Sequence, residues 1–394
     1  MNVLSSASPY TSLASSPADF PDSPLSQALK QPALLGLFLP IHHGGWSNST
    51  LPRGTDWSFD YNAKLTLTAE ALGFDLVFGV AQWMPKGGQG PTRTEAGLDS
   101  FIATAALASI TSRILLISTL HVLYGPWHPV HLARFGATLD HISKGRWGIN
   151  VVTGHRAHEH ELFGWTRIEH DRRYELADEF VSTLKRLWTD EEPFSYEGAS
   201  SWRFKDAYIS PRPLYGRPVL VNATGSDAGI DFAARHSDLV FVASPGGGDI
   251  DSALASLPAH TARLKQAARA QGREIRTILN PLIVARETEA EAEAYAQAIV
   301  DHADLASIAG RSRLDSDAHA WRGHTGENLR YGVGGAIGGN VQLIGSPEQI
   351  ADQLVRLHKA GVDGFQLAFY DFEPDLAFFG ARILPLLKQA GLRL

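Results

Sequence analysis

The chain is 394 residues long, 44% hydrophobic and 20% charged, with nine tryptophans and a formal net charge of −7. This composition supplies a large core and excludes global disorder, and the mild acidity gives no reason to expect nucleic acid or an anionic membrane as partner. Cysteine is absent, which removes disulfides, thiolate metal sites, iron–sulfur clusters and cysteine nucleophiles together.

Residues 1–32 are rich in Ser and Pro and lack a basic start followed by an apolar run. They read as a flexible, solvated tail rather than a secretion signal. No stretch approaches the roughly 20 apolar residues that span a bilayer, so cytoplasmic residence is the expectation. From residue 33 to the end the chain alternates short apolar runs with amphipathic segments, the pattern of repeated βα units in a single domain. Strands are expected at 33–39, 75–80, 113–120, 146–152, 218–223, 238–243, 275–285 and 363–369. Helical periodicity falls between them, notably at 60–72, 171–188, 227–235, 288–300 and 347–359. Eight strands with crossovers predict an α/β fold, a closed (β/α)8 TIM barrel. Two segments break the rhythm: 191–213 reads as a hairpin insertion, and 301–342, polar and then glycine-rich, as a lid over the barrel mouth.

Active sites of such barrels collect at the C-terminal ends of the strands. Strand three ends "LISTLH" and strand four "WGINVVTGH", which brings Thr119, His121, Asn150, Thr153 and Gly154 to the mouth. Hydroxyl and amide groups there suit a neutral polar ligand, and equally suit ordinary hydrogen bonding at strand ends. After strand five, "TGSDAG" offers Gly225 for a tight turn and Ser226 as cap of a helix from Asp227. Such a helix start binds phosphate well, or is simply a capped helix. "EHDRRYELADEF" adds His170, Arg172, Arg173 and Tyr174, which could reach a phosphate or simply form a solvated helix start, the preferred reading for Arg172.

Other chemistries are poorly supported. His155, His158, Glu159 and His160 in "GHRAHEHELFG" lack the H-E-x-x-H spacing of a zinc helix, so no metal is expected. There is no G-x-S-x-G elbow, and "GGGDID" lacks the Lys and Ser/Thr of a phosphate loop. A bound cofactor is the natural source of reactivity.

The segments "GLFLPIHHGGW", "YGPWHPVHLARFGATLDHISKGRWGINVVTG", "EHDRRYELADEFVSTLKRLW", "NATGSDAGIDFAARHSD" and "LIGSPEQIADQL" resemble the bacterial luciferase-like flavin-dependent monooxygenases, in particular their sulfone, alkanesulfonate and pyrimidine oxygenase branches. The resemblance implies a homodimeric or homotetrameric enzyme that binds FMN as FMNH2, delivered by a separate NAD(P)H-dependent FMN reductase. With O2 it would oxidise a small organosulfur compound, a sulfone or alkanesulfonate, with C–S cleavage. A pyrimidine-type ring amide as substrate, or flavin binding without catalysis, are the alternatives. It further implies that Thr119 and Asn150 face the flavin ring, and that Thr153, Gly154, Tyr174, Gly225 and Ser226 hold the ribityl chain and phosphate. His43, Trp46 and Trp127 would border the substrate pocket, with Trp83 and His155 beside the reacting centre. The alkanesulfonate branch carries a cysteine after strand two, where this chain reads "GVAQWMP".

Overall fold

The computed structural model describes residues 15–83, 96–125, 127–198, 202–311, 335–338 and 341–394. Its strands are β1 (Leu34–Phe38), β2 (Leu76–Gly79), β3 (Leu115–His121), β4 (Trp147–Val152), β5 (Phe194–Glu197), β6 (Arg203–Ala207), β7 (Val219–Ala223), β8 (Leu239–Val242), β9 (Arg276–Leu279), β10 (Pro281–Ala285), β11 (Val341–Gly345) and β12 (Gly364–Phe369). Eight of them close a parallel barrel in the order β1-β2-β3-β4-β7-β8-β9-β12, with β12 returning to β1 at Leu34↔Gly364. Nearly every residue of these strands is buried, because one face packs on the barrel interior and the other on the helical layer. The antiparallel pair β5–β6 stands apart within 191–213.

The apolar run 275–285 is two strands, not one. Pro281 has no N–H to continue the ladder, so β9 stays in the barrel between β8 and β12, while β10 pairs with the upper part of β12 and with β11. Residues 341–345, partly assigned above to the lid, are β11. Residues 312–334 and 339–340 of that expected lid lie outside the described residues.

The expectation of a flexible tail over 1–32 does not hold from Ser15 onward. Two Ser-Pro pairs act as N-cap and first helical residue: Ser16 caps the short turn Pro17–Asp19 and Ser23 caps the helix Pro24–Ala28. Leu25 is fully buried, Phe20 meets Tyr215 edge-on at 5.9 Å, and Ser16 Oγ donates to Asp238 at 2.7 Å. Residues 1–14 lie outside the described residues.

Aspartates sit just before three barrel strands, and each accepts the N–H of a neighbouring strand while pairing with a cation. Asp75 takes Leu35 N–H at 2.7 Å and Arg393, Asp238 takes Leu220 N–H at 2.9 Å and Arg217, and Asp363 takes Thr277 N–H at 2.8 Å and Lys265. These clasps lie at the N-terminal face of the barrel, where such barrels invest in stability rather than catalysis. Nearby runs a buried chain in which His236 Nε2 meets Asp178 at 2.5 Å and His236 Nδ1 meets Lys185 Nζ at 2.9 Å. Burial lowers the His236 pKa to about 3 and the Lys185 pKa to about 7.

A histidine whose folded pKa lies below its unfolded value refuses a proton that the unfolded chain accepts, so its contribution to stability falls as pH drops from about 6.5 toward 3. Lys185 has the same sign at higher pH, between about 10.5 and 7. His236→Gln is therefore expected to flatten the fall in thermal midpoint between pH 7 and 5. A melting series in both proteins checks this, and parallel pH profiles would refute it.

Candidate active site

The register of β3 and β4 decides which side chains enter the barrel. Ser118 and Trp147 point to the helical layer: Trp147 Nε1 donates to Ser118 Oγ at 2.9 Å, and Ser118 Oγ meets Thr104 Oγ1 of the helix Ser100–Ala108 at 2.5 Å. By alternation, the partnered residues Thr119 and Asn150 turn inward near the C-terminal end. Asn150 Nδ2 donates to Thr119 Oγ1 at 3.2 Å, which leaves the Thr119 hydroxyl proton available, while the buried Asn150 Oδ1 has no partner. Beside them are three inward aromatic rings. Phe38 ends β1 in register with Phe78 of β2, their centroids 4.9 Å apart, and Phe241 of β8 meets Phe78 at 4.7 Å. These edge-to-face contacts make a rigid apolar wall.

The helix Asp227–His236 begins beyond β7, capped by Ser226, whose Oγ accepts Gly229 N–H at 3.1 Å. Gly229 sits where no side chain fits. A Cβ there would overlap the Thr224 hydroxyl and come within 2.8 Å of the Tyr174 phenol oxygen. Tyr174 arrives from the helix His170–Thr189 and packs on Phe232 at 5.9 Å. Thr224 Oγ1 is buried without a partner. A helix start, two hydroxyls and a phenol thus converge on backbone that must stay bare. Gly225 was expected to supply a turn conformation, yet its φ is not positive, whereas Gly154 takes φ +75°. There the constraint is contact, since a Cβ on Gly154 would overlap the Tyr124 ring.

The remaining expected residues are dispersed. Thr153 is buried beside Gly154, and His155 is half-buried. Trp46 stacks on Phe38 with centroids 3.7 Å apart and donates Nε1–H to Phe38 O at 3.3 Å. His43 is exposed three residues before it. Trp83 meets Phe163 at 5.0 Å, and Phe163 lies 5.7 Å from Tyr124, so these join the β3–β4 end. Trp127 instead packs at 5.3 Å on Phe101 of the helix Ser100–Ala108, on the side of the helical layer. Arg172 pairs with Glu175 at the surface, while buried Arg173 donates to Ile168 O at 2.6 Å.

Three features of this region escape a reading of the sequence: the bare backbone at Gly229, the Phe38–Phe78–Phe241 wall, and a buried set around Glu159. Glu159 accepts from Tyr124 Oη at 2.8 Å and from Arg156 at 3.3 Å, with His121 Nε2 at 3.8 Å. Among the described residues, no group of three or more His, Asp or Glu is arranged to hold a metal ion, and no helix is long and apolar enough to cross a membrane.

The family model of luciferase-like monooxygenases matches residues 34–364. The chain belongs to that family and is a flavin-dependent monooxygenase. It is 32% identical over 369 residues to the FMNH(2)-dependent dimethylsulfone monooxygenase of Pseudomonas fluorescens (strain Pf0-1), covering 91% of this chain and 96% of that one. It is 33% identical over 362 residues to the pyrimidine monooxygenase RutA of Acinetobacter baylyi, covering 90% and 95%. Among solved structures, DmoA from Hyphomicrobium sulfonivorans superposes with a TM-score of 0.77 at 21% identity over 92% of this chain and 89% of that one, a likeness of fold.

The residues present fit a flavin mononucleotide. A buried amide acceptor at Asn150, an aromatic wall, and a helix start lined by the Thr224 hydroxyl and the Tyr174 phenol, both able to donate, are what a ring system with a phosphate tail requires.

Proposed function

We propose that the chain is the oxygenase component of a two-component system, taking FMNH2 from a separate NAD(P)H-dependent FMN reductase and using O2 to oxidise a small uncharged organic molecule. The observation that carries this reading is the cradle at Gly229, where Ser226, Thr224 and Tyr174 surround backbone that admits no side chain. Tyr174, Ser226 and the first-turn N–H groups would hold the phosphate, and Thr153 with Gly154 the ribityl chain. Thr119 and Asn150 would orient the ring edge. Bound FMNH2 supplies the electrons and the site of oxygen activation; the protein binds, orients and excludes water.

A sulfone, oxidised with C–S cleavage, is the substrate suggested by the Pseudomonas relative. An anionic sulfonate fits less well. Among the described residues, Arg53 is committed to Gly44 O, Ser47 O and Tyr370 O, and Arg156 to Glu159, whereas a sulfonate calls for an uncommitted cationic clamp. A ring amide is favoured by one observation, the buried acceptor on His121.

Anaerobic titration with FMNH2 tests the cofactor reading. Saturable binding is expected, with Ser226→Ala weakening it by about tenfold, the worth of one hydrogen bond to a charged group. Substrate should be consumed only when reductase, NAD(P)H and O2 are supplied together. Turnover with oxidised FMN and no reductant would refute the reading.

A further inference from the structure

One buried group at the mouth has no part in the flavin cradle. His121 is the last residue of β3, two beyond Thr119, and is in register with Val152, itself two beyond Asn150, so it shares their inward side. Its ring lies parallel to Tyr124, with centroids 4.8 Å apart and planes 21° off. Its Nε2 faces the Glu159 carboxylate at 3.8 Å, and Glu159, 2% exposed, is held by the Tyr124 phenol and Arg156.

Burial lowers the His121 pKa to about 3, so the imidazole is neutral throughout the physiological range. A neutral imidazole carries one N–H, and the negative carboxylate 3.8 Å from Nε2, beyond hydrogen-bond length, favours that proton at Nε2 by electrostatic attraction. Nδ1 is then an acceptor, and it is buried without a hydrogen-bond partner. A buried acceptor left unfilled is costly, and at an active-site mouth the natural occupant is a donor on the ligand.

We propose that His121 binds substrate, its Nδ1 accepting a hydrogen bond from the N–H of a neutral amide-type molecule, and that Glu159 is the positioning residue that fixes the imidazole tautomer. The proposal rests on the flavin-dependent oxygenase reading above and narrows its substrate class. A site built around an acceptor rejects analogues that lack the matching donor far more strongly than a merely apolar pocket does. Sulfones and sulfonates carry acceptors only and gain nothing from Nδ1. An amide N–H gains a hydrogen bond, and an N-methyl group in its place collides and leaves the acceptor empty.

The test uses the full chain with an FMN reductase, NADH and O2, and three ring amides, uracil, 2-pyridone and 2-pyrrolidinone, each beside its N-methylated counterpart. Dimethylsulfone and methanesulfonate complete the set. At least one N–H ring amide is expected to exceed its methylated partner in kcat/KM by about 100-fold or more. His121→Phe should remove most of that gap, chiefly through KM, while FMNH2 affinity measured anaerobically stays within about twofold. His121→Asn keeps an acceptor near the same position and should restore much of the preference. Glu159→Gln frees the tautomer and should raise KM by about tenfold without changing FMNH2 affinity.

The inference is overturned if FMNH2 binds but no N–H compound outperforms its methylated partner. It is also overturned if dimethylsulfone is preferred and indifferent to His121→Phe, or if His121→Phe acts on FMNH2 affinity instead of KM. Absence of saturable FMNH2 binding by the unmodified protein is a different failure, that of the flavin reading itself.

Discussion

Replacing Arg217 with methionine is expected to lower the thermal midpoint by about 5 °C and leave FMNH2 affinity unchanged. The Arg217 guanidinium is 1% exposed and donates twice to Asp238, at 2.7 Å from each carboxylate oxygen. Asp238 in turn receives Leu220 N–H at 2.9 Å, Ser16 Oγ at 2.7 Å and Arg273 at 3.4 Å. One carboxylate therefore ties the start of β7, the N-terminal segment and the residues around Arg273 together. Removing one partner of a buried pair costs about 3–5 kcal/mol, because the remaining charge has lost its compensation. In a 394-residue chain, with an unfolding entropy of about 2.1 cal/mol/K per residue, each kcal/mol moves the midpoint by about 1.2 °C.

Favourable interactions with Arg217 outweigh burial and hold the Asp238 pKa down to about 2. A carboxylate with a lowered folded pKa contributes stability that is present above about 3.8 and is lost as pH falls toward 2, so this clasp is intact at neutral pH. The double variant Arg217→Met with Asp238→Leu should recover part of the loss, since two apolar side chains leave no stranded charge. Calorimetry on the three proteins decides the matter. A single variant melting within about 2 °C of the parent would show that the pair carries little.

The barrel was legible because parallel strands buried on both faces write themselves as continuous apolar runs. Legibility ended where local chemistry changed the meaning of a run. Asn280-Pro281 divides one mostly apolar stretch between two strand partners, a single polar residue and a proline that look like a local irregularity within one strand. The helix Ile250–Ala270 carries Pro258 in its interior, which argues against a helix on local grounds, and tertiary packing of Leu257 and Leu264 overrides it. The Ser-Pro pairs of residues 15–32 have the composition of a solvated segment. In place they are caps, and what anchors them, Asp238 and Tyr215, lies about 200 residues away in sequence.

The candidate site divides in the same way. Thr119 and Asn150 could be found because polar residues that end apolar strands point to a barrel mouth, and strand alternation brings them face to face. Ser226 could be found because a cap is a local motif. Glu159 could not be assigned: in the sequence it stands among three histidines, and only the fold shows it accepting from Tyr124 and Arg156. Phe38, Phe78 and Phe241 read simply as core. Gly225 drew attention and Gly229 did not, because the requirement for glycine at 229 comes from Tyr174 on another helix.

Gly229→Ala is expected to weaken FMNH2 binding by about 100-fold with little change in thermal midpoint. Two effects on stability oppose each other. Glycine inside a helix is less stable than alanine by about 0.5–1 kcal/mol, so on propensity alone the substitution stabilises. Against this, the new methyl would overlap the Thr224 hydroxyl, and turning a side chain off its rotamer costs about 0.5–1.5 kcal/mol. The two nearly cancel, which leaves binding as the informative quantity. The displaced Thr224 and the methyl both press on Tyr174, whose phenol oxygen would lie 2.8 Å from the new carbon, and an anion held by hydrogen bonds tolerates little displacement of its donors. Adding Thr224→Ala relieves the overlap and should raise the midpoint, yet the methyl still fills the space before the helix start, so affinity should stay low. Tyr174→Phe, which removes a donor without adding bulk, should cost about tenfold. If Gly229→Ala bound FMNH2 as tightly as the parent, the phosphate would have to be held elsewhere, and the bare backbone at 229 would be explained by the packing of Thr224 and Tyr174 alone.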